Sequence, residues 1–201
     1  LRRRESDMKI LIYTHGRSGS SNLLATLCTL YQYYGIPEPF NKELYEIWGK
    51  ESPLKKDDPI PENCVVKNIV FQADGWVQTS AKDFDKVIFL FRDNFRDAVI
   101  SGRNAVEYGY DQKYKPTYDV EAKQTRIVST LYNRLAKQLD FFTETEPLDN
   151  IHVMWYNDIY SGDYEKTFDV IKTLKDDLTK EEFDVVWERF LNPEHRLKQE
   201  I

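Results

Sequence analysis

At Lys9–Tyr34 the sequence reads KILIYTHGRSGSSNLLATLCTLYQYY. Its first six residues are mostly apolar and include two isoleucines, as in a strand that is buried on both faces. From Leu23 onward apolar residues recur at helical spacing, and Gly35 and Pro37 mark the expected end of the helix. The segment between strand and helix, HGRSGSS, combines glycines, hydroxyls and one arginine. A loop that enters a helix in this way offers backbone N–H groups and the positive end of the helix dipole, so we predict an anion site.

The rest of the chain repeats the alternation of strand and helix. Three more apolar runs are predicted as buried strands: Cys64–Val70, Lys86–Phe91 and Asn150–Tyr156. Between and after them lie three helical patterns: Gln124–Phe142, Tyr164–Leu174, and a helix that begins with the capping-box sequence TKEE at Thr179. This order predicts an α/β fold, a three-layer sandwich with a central, mainly parallel sheet. We expect a single domain over residues 9–201, preceded at residues 1–8 by a loose tail or a cloning remnant.

Composition narrows the function classes. The 201 residues carry a net charge of -6, which argues against nucleic acid as a partner. No apolar run approaches the roughly 18 residues of a transmembrane helix, and no signal peptide precedes Met8, so we expect a cytoplasmic protein without a membrane span. Cys28 and Cys64 form no close pair and are expected to be free thiols. The three scattered histidines favour no metal site.

A second polar cluster follows the strand at Lys86–Phe91. Arg92 comes directly after this strand, and Ser101 lies about two helical turns further on. Ligands of open α/β sheets bind at the carboxyl ends of the strands, which would place Arg92 in the crevice. Two simpler interpretations remain open: Arg92 pairs with a nearby aspartate at the surface, and Ser20 or Ser21 merely caps the first helix.

The two clusters together resemble the sulfotransferases that use 3′-phosphoadenosine 5′-phosphosulfate (PAPS). RSGSS at Arg17–Ser21 is similar to the family's 5′-phosphosulfate loop, in the arginine-first form of carbohydrate sulfotransferases. FRDNFRDAVIS at Phe91–Ser101 is similar to its 3′-phosphate motif. The resemblance implies a P-loop-like sulfotransferase fold that uses PAPS as co-substrate, leaves PAP as product and needs no metal. It also implies a set of nucleotide-binding residues: Arg17, Ser18, Gly19, Ser20, Ser21, Asn22, Arg92 and Ser101.

A third stretch, WYNDIYSGDYEKTFDVI from Trp155, is similar to the family's late strand, turn and helix. Two departures from the family pattern stand beside these likenesses. The separation of Arg92 and Ser101 is nine residues where the family has eight, which an extra residue in the turn would absorb. Lys67 matches a lysine that many small-molecule sulfotransferases carry, but Ile69 stands where those enzymes have a histidine base.

With that histidine absent, a carboxylate is the natural general base. GIPEPF at Gly35–Phe40 is similar to a region of bacterial glycolipid sulfotransferases whose base is a glutamate, which favours Glu38, with Arg17 as its catalytic partner. Glu43 and Glu46 are alternatives. His15, inside the loop, is expected to be a packing residue or a phosphate contact rather than the base.

The sequence therefore predicts a sulfotransferase that acts on a hydroxyl or amine of a carbohydrate, a lipid or another small acceptor. Two segments are expected to shape the acceptor pocket, the irregular Phe40–Asn63 and the loop Gly102–Tyr118, which contribute Trp48, Tyr108 and Tyr110. A catalytically silent nucleotide-binding or interaction module and a P-loop-like kinase are the alternatives. The kinase is disfavoured because the loop lacks the Lys-[Ser/Thr] pair of nucleoside triphosphatases.

Overall fold

Five parallel strands form the centre of the molecule. The structure is a computed structural model that describes residues 7–70, 72, 74–108, 120–144 and 150–193. The strands pair in the order β2-β3-β1-β4-β5, and every pairing is parallel. Their bounds are β1 Lys9–Thr14, β2 Tyr34–Pro37, β3 Cys64–Ile69, β4 Lys86–Phe91 and β5 Ile151–Trp155. The predicted mainly parallel α/β sheet is confirmed.

Helices connect these strands. Their bounds are α1 Ser20–Tyr31, α2 Lys42–Ile47, α3 Asp74–Ser80, α4 Phe95–Tyr108, α5 Val120–Glu144, α6 Tyr156–Tyr160, α7 Tyr164–Lys172 and α8 Lys180–Val186. The predicted capping box is present at the start of α8, where the Thr179 side chain accepts from the Glu182 N–H and the Glu182 carboxylate accepts from the Thr179 N–H. In the part of the chain that the structure describes, no helix is long and apolar enough to cross a membrane.

Two apolar cores lie on the two faces of the sheet, because alternate strand residues point to opposite sides. Ile10 and Ile12 of β1 pack with residues of α1, α7 and α8. Leu11 and Tyr13 pack on the other face with residues of α3 and with Phe141 of α5. The molecule thus has three layers, with the sheet in the middle.

The strand order places the reversal of winding between β1 and β4. From β1 the chain passes to the edge strand β2 and then to β3, which lie on one side of β1, and β4 and β5 lie on the other side. The chain segments that leave the carboxyl ends of β1 and β4 therefore diverge, which leaves a crevice between them. The HGRSGSS loop follows β1 and Arg92 follows β4, so both predicted clusters lie at this crevice.

The first helix is shorter than its apolar pattern predicts, and a strand follows that the sequence analysis missed. Gln32 adopts a left-handed backbone conformation (φ 56°) that ends α1. Tyr34–Pro37 then joins the edge of the sheet beside β3, although we expected the helix to continue through Tyr34. Proline is tolerated there because it lies at the end of an edge strand.

The two expected loops are only partly loops. Lys42–Ile47 is helical within the irregular stretch Phe40–Asn63. The prediction of a loop over Gly102–Tyr118 is wrong for residues 102–108, because α4 extends to Tyr108. Its remainder, with Tyr110, lies outside the described residues.

The buried face of α5 differs from the face that its apolar residues predict. Tyr132 and Leu139 are exposed, whereas Leu131, Gln138 and Phe141 are buried. Gln138 is tolerated in the core because its Nε2 donates to two backbone oxygens, on Tyr13 at 3.0 Å and, more weakly, on Leu90 at 3.4 Å.

Candidate active site

The loop between β1 and α1 presents an uncapped helix N-terminus. Gly19, the residue before α1, has φ 77°, and the Asn22 and Leu23 N–H groups both donate to its carbonyl at 3.1 Å. No side chain among the described residues caps α1, so its first N–H groups and its dipole are available to an anion. Arg17 also has a left-handed backbone conformation, with φ 52°. Such strain in a non-glycine residue is typical of functional loops.

Tyr160 of α6 packs against this loop. Its hydroxyl donates to the Gly19 carbonyl at 2.6 Å, and its ring would lie only 2.4 Å from a Cβ placed on Gly19. Glycine is therefore required here for two reasons, the positive φ and the closeness of the ring. Tyr160 also contacts Tyr156, with 4.7 Å between ring centroids, and Tyr156 lies under the Arg92 guanidinium at 4.2 Å.

The loop hydroxyls differ in their surroundings. Ser18 is buried and hydrogen-bonds to Thr14, whose hydroxyl in turn donates to the Leu90 carbonyl at 3.1 Å, so this serine anchors the loop to β4. Ser20 is also buried, whereas Ser21 is exposed at the helix start and accepts a hydrogen bond from Lys67 Nζ at 3.1 Å. Of the hydroxyls predicted to bind phosphate, Ser21 is thus the most accessible.

The two sequence clusters meet in space. Arg17 donates from Nε and Nη2 to the Ser101 hydroxyl at 3.1 and 2.6 Å, across 84 residues of sequence. Arg92 Nη1 donates to the Arg17 carbonyl at 2.8 Å. The extra residue between Arg92 and Ser101 therefore does not keep the two motifs apart. These contacts place two guanidinium groups at one end of the crevice.

His15 supports this arrangement from beneath. It is fully buried, and its Nε2 accepts a hydrogen bond from the Arg92 N–H at 3.2 Å. Burial, and then the charge of Arg92, lower the pKa of His15 to about 4. The ring is therefore neutral at physiological pH and holds the backbone at Arg92, in agreement with a packing role.

Glu38 lies at the end of β2 among three hydrogen-bond donors. Its carboxylate pairs with Lys67 Nζ at 2.8 Å and accepts from Asn41 at 2.9 Å and Gln72 at 2.8 Å. Burial alone would raise the pKa of Glu38, but the charge of Lys67 and these hydrogen bonds outweigh it and bring the pKa below the ordinary value. Lys67 also reaches Ser21, so it links the carboxylate to the phosphate loop.

The other carboxylates considered as bases lie on α2. Glu43 and Glu46 are exposed, and Glu46 pairs with Lys42 one turn away at 3.6 Å. Glu38 is the one of the three that contacts a residue bonded to the loop. Within the described ranges, no group of three His, Cys, Asp or Glu side chains is arranged to hold a metal ion.

Three residues of this site were missed as individuals by the sequence analysis. Tyr156 and Tyr160 lie in the third motif from Trp155, but nothing in their spacing predicts that one packs under Arg92 and the other holds Gly19. Gln72, which connects Glu38 to the Ile69 N–H, had no sequence signal at all.

Comparison with known proteins places this geometry in a recognised fold. No protein-family model and no curated protein matches the sequence. Among solved structures, mouse sulfotransferase SULT7A1 complexed with PAP is similar, with a TM-score of 0.60 and 16% identity over 92% of this chain. Retinol dehydratase in complex with androsterone and the inactive cofactor PAP has a TM-score of 0.56 and 16% identity over 96% of this chain. This chain spans 64% and 66% of the lengths of those two proteins.

A kinase shares the same architecture. Shikimate kinase from Bacteroides thetaiotaomicron has a TM-score of 0.52 and 11% identity, covering 85% of this chain and 97% of its own. At identities this low the likenesses show the fold. The P-loop-like α/β fold expected from the sulfotransferase resemblance is confirmed, and its neighbours include two proteins bound to PAP.

Proposed function

We propose that this chain is a PAPS-dependent sulfotransferase that transfers a sulfuryl group to a hydroxyl or amine of a carbohydrate, a lipid or another small acceptor. One observation carries the proposal: Arg17 of the loop and the Arg92–Ser101 motif, far apart in sequence, contact each other at the crevice. The resemblance assigns these same residues to the two phosphate ends of one nucleotide. Their meeting at the strand ends is what a clamp on a doubly phosphorylated nucleoside requires.

The residues present fit such a nucleotide. The uncapped start of α1, with Ser20, Ser21 and Asn22, and the Arg17 guanidinium would hold the 5′-phosphosulfate. Arg92 and Ser101 would hold the 3′-phosphate. In the free protein Arg17 and Ser101 bond to each other, so binding exchanges that bond for contacts to the nucleotide. Ser18 and Gly19 would shape the loop rather than touch the ligand.

PAPS supplies the electrophilic sulfuryl group and a phosphate leaving group. Arg17 and the loop N–H groups would stabilise the negative charge that develops on the leaving oxygen, with no step that requires a metal. Glu38 would accept the proton of the acceptor as the new oxygen–sulfur bond forms and the bond from sulfur to the phosphate oxygen breaks. Glu38 is ionised at neutral pH, which is the state a general base needs, and the contacts that lower its pKa also reduce its basicity.

Two features of the site support Glu38 over the alternative bases. Lys67 Nζ bonds both Glu38 and Ser21, so one side chain connects the carboxylate to the loop that is proposed to hold the sulfuryl group. Its backbone is held in a left-handed conformation (φ 48°), and its N–H donates to the Lys67 carbonyl at 2.7 Å, which fixes the carboxylate at this edge. Glu43 and Glu46 lack any such connection among the described contacts.

The acceptor side is proposed to include the segment that follows β2. Trp48, 44% exposed at the end of α2, suits stacking on a sugar or an aromatic ring. The soluble, cytoplasmic location and the single domain over residues 9–201 remain part of the proposal, as does the preference for carbohydrate or glycolipid acceptors.

Transfer of radiolabelled sulfate from PAPS tests the proposal. Wild-type protein is expected to label members of a panel of sugars, glycolipids and phenols, and Glu38→Gln is expected to reduce the rate at least a hundredfold. Glu43→Gln is the matched control, because it removes an exposed carboxylate five residues away. Tight PAP binding without transfer to any acceptor would favour the silent nucleotide-binding module instead.

A P-loop-like kinase is the second candidate, favoured only by the likeness to shikimate kinase. The loop carries Arg17 and two serines where kinases of this type carry a Lys-[Ser/Thr] pair. Magnesium-dependent binding of ATP that exceeds the affinity for PAP would establish this candidate and overturn the sulfotransferase assignment.

A further inference from the structure

Arg134 of α5 belongs to neither of the two phosphate motifs, yet the structure brings it to the loop. One helical turn later on the same helix, the buried Gln138 donates to the carbonyls of Tyr13 and Leu90. These carbonyls lie at the carboxyl ends of β1 and β4, where the loop and Arg92 begin. α5 is therefore fixed beside the carboxyl ends of these two strands, and Arg134 reaches Gly16 of the loop that follows β1.

The guanidinium of Arg134 lies beside Gly16. Arg134 Nη1 lies 3.4 Å from the point that a Cβ on Gly16 would occupy, and Ile69 at the end of β3 lies 3.7 Å from the same point. The charge of Arg134 also contributes, after burial and Arg92, to the low pKa of His15. The guanidinium thus faces the start of the loop, on the side of β3.

No described carboxylate neutralises this cation. Arg134 is partly buried, and its Nε is enclosed without a hydrogen-bond acceptor. Among the residues that the structure describes, it makes no ion pair, in contrast with Lys67, which has Glu38 at 2.8 Å. A partly buried cation without a counter-charge is unfavourable, so an anion that enters the site would stabilise it.

The proposed base lies on the same side of the loop. Glu38 accepts from Gln72 Nε2, and Gln72 Oε1 accepts from the Ile69 N–H at 3.1 Å. Ile69 also lies beside Gly16, within 4 Å of the same Cβ position as Arg134 Nη1. Glu38 and Arg134 therefore approach the loop around one strand end, whereas Arg92 and Ser101 approach it from β4.

We propose that Arg134 is a further catalytic residue, which binds the oxygens of the transferring sulfuryl group on the acceptor side of the loop. This inference rests on the proposed function and extends it to a third arginine. As the acceptor oxygen bonds to sulfur and the bond to the phosphate oxygen breaks, the three sulfuryl oxygens keep their negative charge. The planar guanidinium fork can donate to two of them at once, and the proton of the acceptor goes to Glu38.

Binding of PAPS and PAP by Arg134→Gln tests this role, because the two ligands differ in the sulfuryl group. By isothermal titration without acceptor, Arg134→Gln is expected to weaken PAPS binding roughly tenfold while the affinity for PAP stays within about twofold. Arg134→Lys keeps the charge but loses the fork, and it should fall between the wild type and Arg134→Gln. Arg96→Gln, the loss of an exposed arginine on α4, controls for net charge and should change neither affinity.

Thermal unfolding gives a readout that a merely structural role would not produce. Removal of an uncompensated cation should leave the melting temperature of the ligand-free protein unchanged or higher, and reduce the rise that PAPS causes. Equal weakening of PAPS and PAP, or no weakening of either, would overturn the role of Arg134. A wild-type protein that binds neither ligand would instead overturn the proposed function.

Discussion

Replacement of Gly19 by alanine is the sharpest perturbation of the loop that the structure offers. At φ 77° an L-residue is strained, at a cost of about 1–2 kcal/mol. The added Cβ would also lie 2.4 Å from Tyr160 Cε2, so the ring must move by about 1 Å to reach ordinary contact. That movement disturbs the hydrogen bond from Tyr160 to the Gly19 carbonyl and the packing around it, a further cost of about 1–3 kcal/mol.

Gly19→Ala should therefore lower the free energy of unfolding by about 3 kcal/mol, measured by urea denaturation with tryptophan fluorescence. Gly49→Ala is the matched control, because Gly49 has φ 63° but nothing within 4 Å of its Cβ position. Its free energy of unfolding should fall only by the cost of the strained backbone, about 1–2 kcal/mol. The additional destabilisation of Gly19→Ala over Gly49→Ala should be smaller in a Tyr160→Leu background, because leucine lacks the outer ring atoms.

The reasoning about Gly19 would be refuted by either of two results. One is a Gly19→Ala variant that is no less stable than Gly49→Ala. The other is an excess destabilisation that remains unchanged when Tyr160 is already leucine. The same variant should lose at least tenfold in affinity for PAP, because the first N–H groups of α1 move with Gly19.

Three further predictions concern protonation, charge pairing and capping. The pKa of His15 is about 4 in the folded protein and 6.5 in the unfolded chain, so the unfolded chain binds the proton more readily. The free energy of unfolding should therefore fall by up to about 3 kcal/mol as the pH drops from 6.5 towards 4. His15→Asn should flatten that part of the stability–pH curve, and an unchanged curve would contradict the assignment. Lys67→Met should destabilise the protein by about 3 kcal/mol at pH 7, because it leaves the Glu38 carboxylate without its cation. The double variant with Glu38→Gln should recover much of this stability, and no recovery would show that loss of the ion pair is not the cause. Thr179→Ala should cost about 1 kcal/mol by thermal unfolding, whereas an unchanged melting temperature would mean that the cap adds no stability.

The sequence predicts those parts of the fold that are encoded locally. β1 and β4 have the bounds that their apolar runs predict, and the capping box begins α8. β2 was missed because a four-residue strand gains its hydrogen bonds from β3, and its Gly and Pro content is typical of a turn.

In the candidate site, too, the sequence predicts what is encoded locally and misses what depends on distant contacts. Arg17 and Arg92 could be identified because their motifs are contiguous, and strand order then explains why they meet. Tyr160 and Arg134 reach the loop through contacts over long sequence separations, which no local pattern records. Gln138 fixes α5 to the strand ends, and no local pattern predicts that this polar residue is buried there.

Isothermal titration with PAP tests the central claim, that Arg17, Arg92 and Ser101 form one clamp for a doubly phosphorylated nucleoside. Wild-type protein should bind PAP. Arg92→Ala should weaken binding roughly 10–100-fold, the value of a lost hydrogen bond to a charged group. Arg96→Ala, the loss of an exposed arginine four residues away, should leave the affinity unchanged. No binding at millimolar PAP, or equal affinity in wild type and Arg92→Ala, would contradict the account.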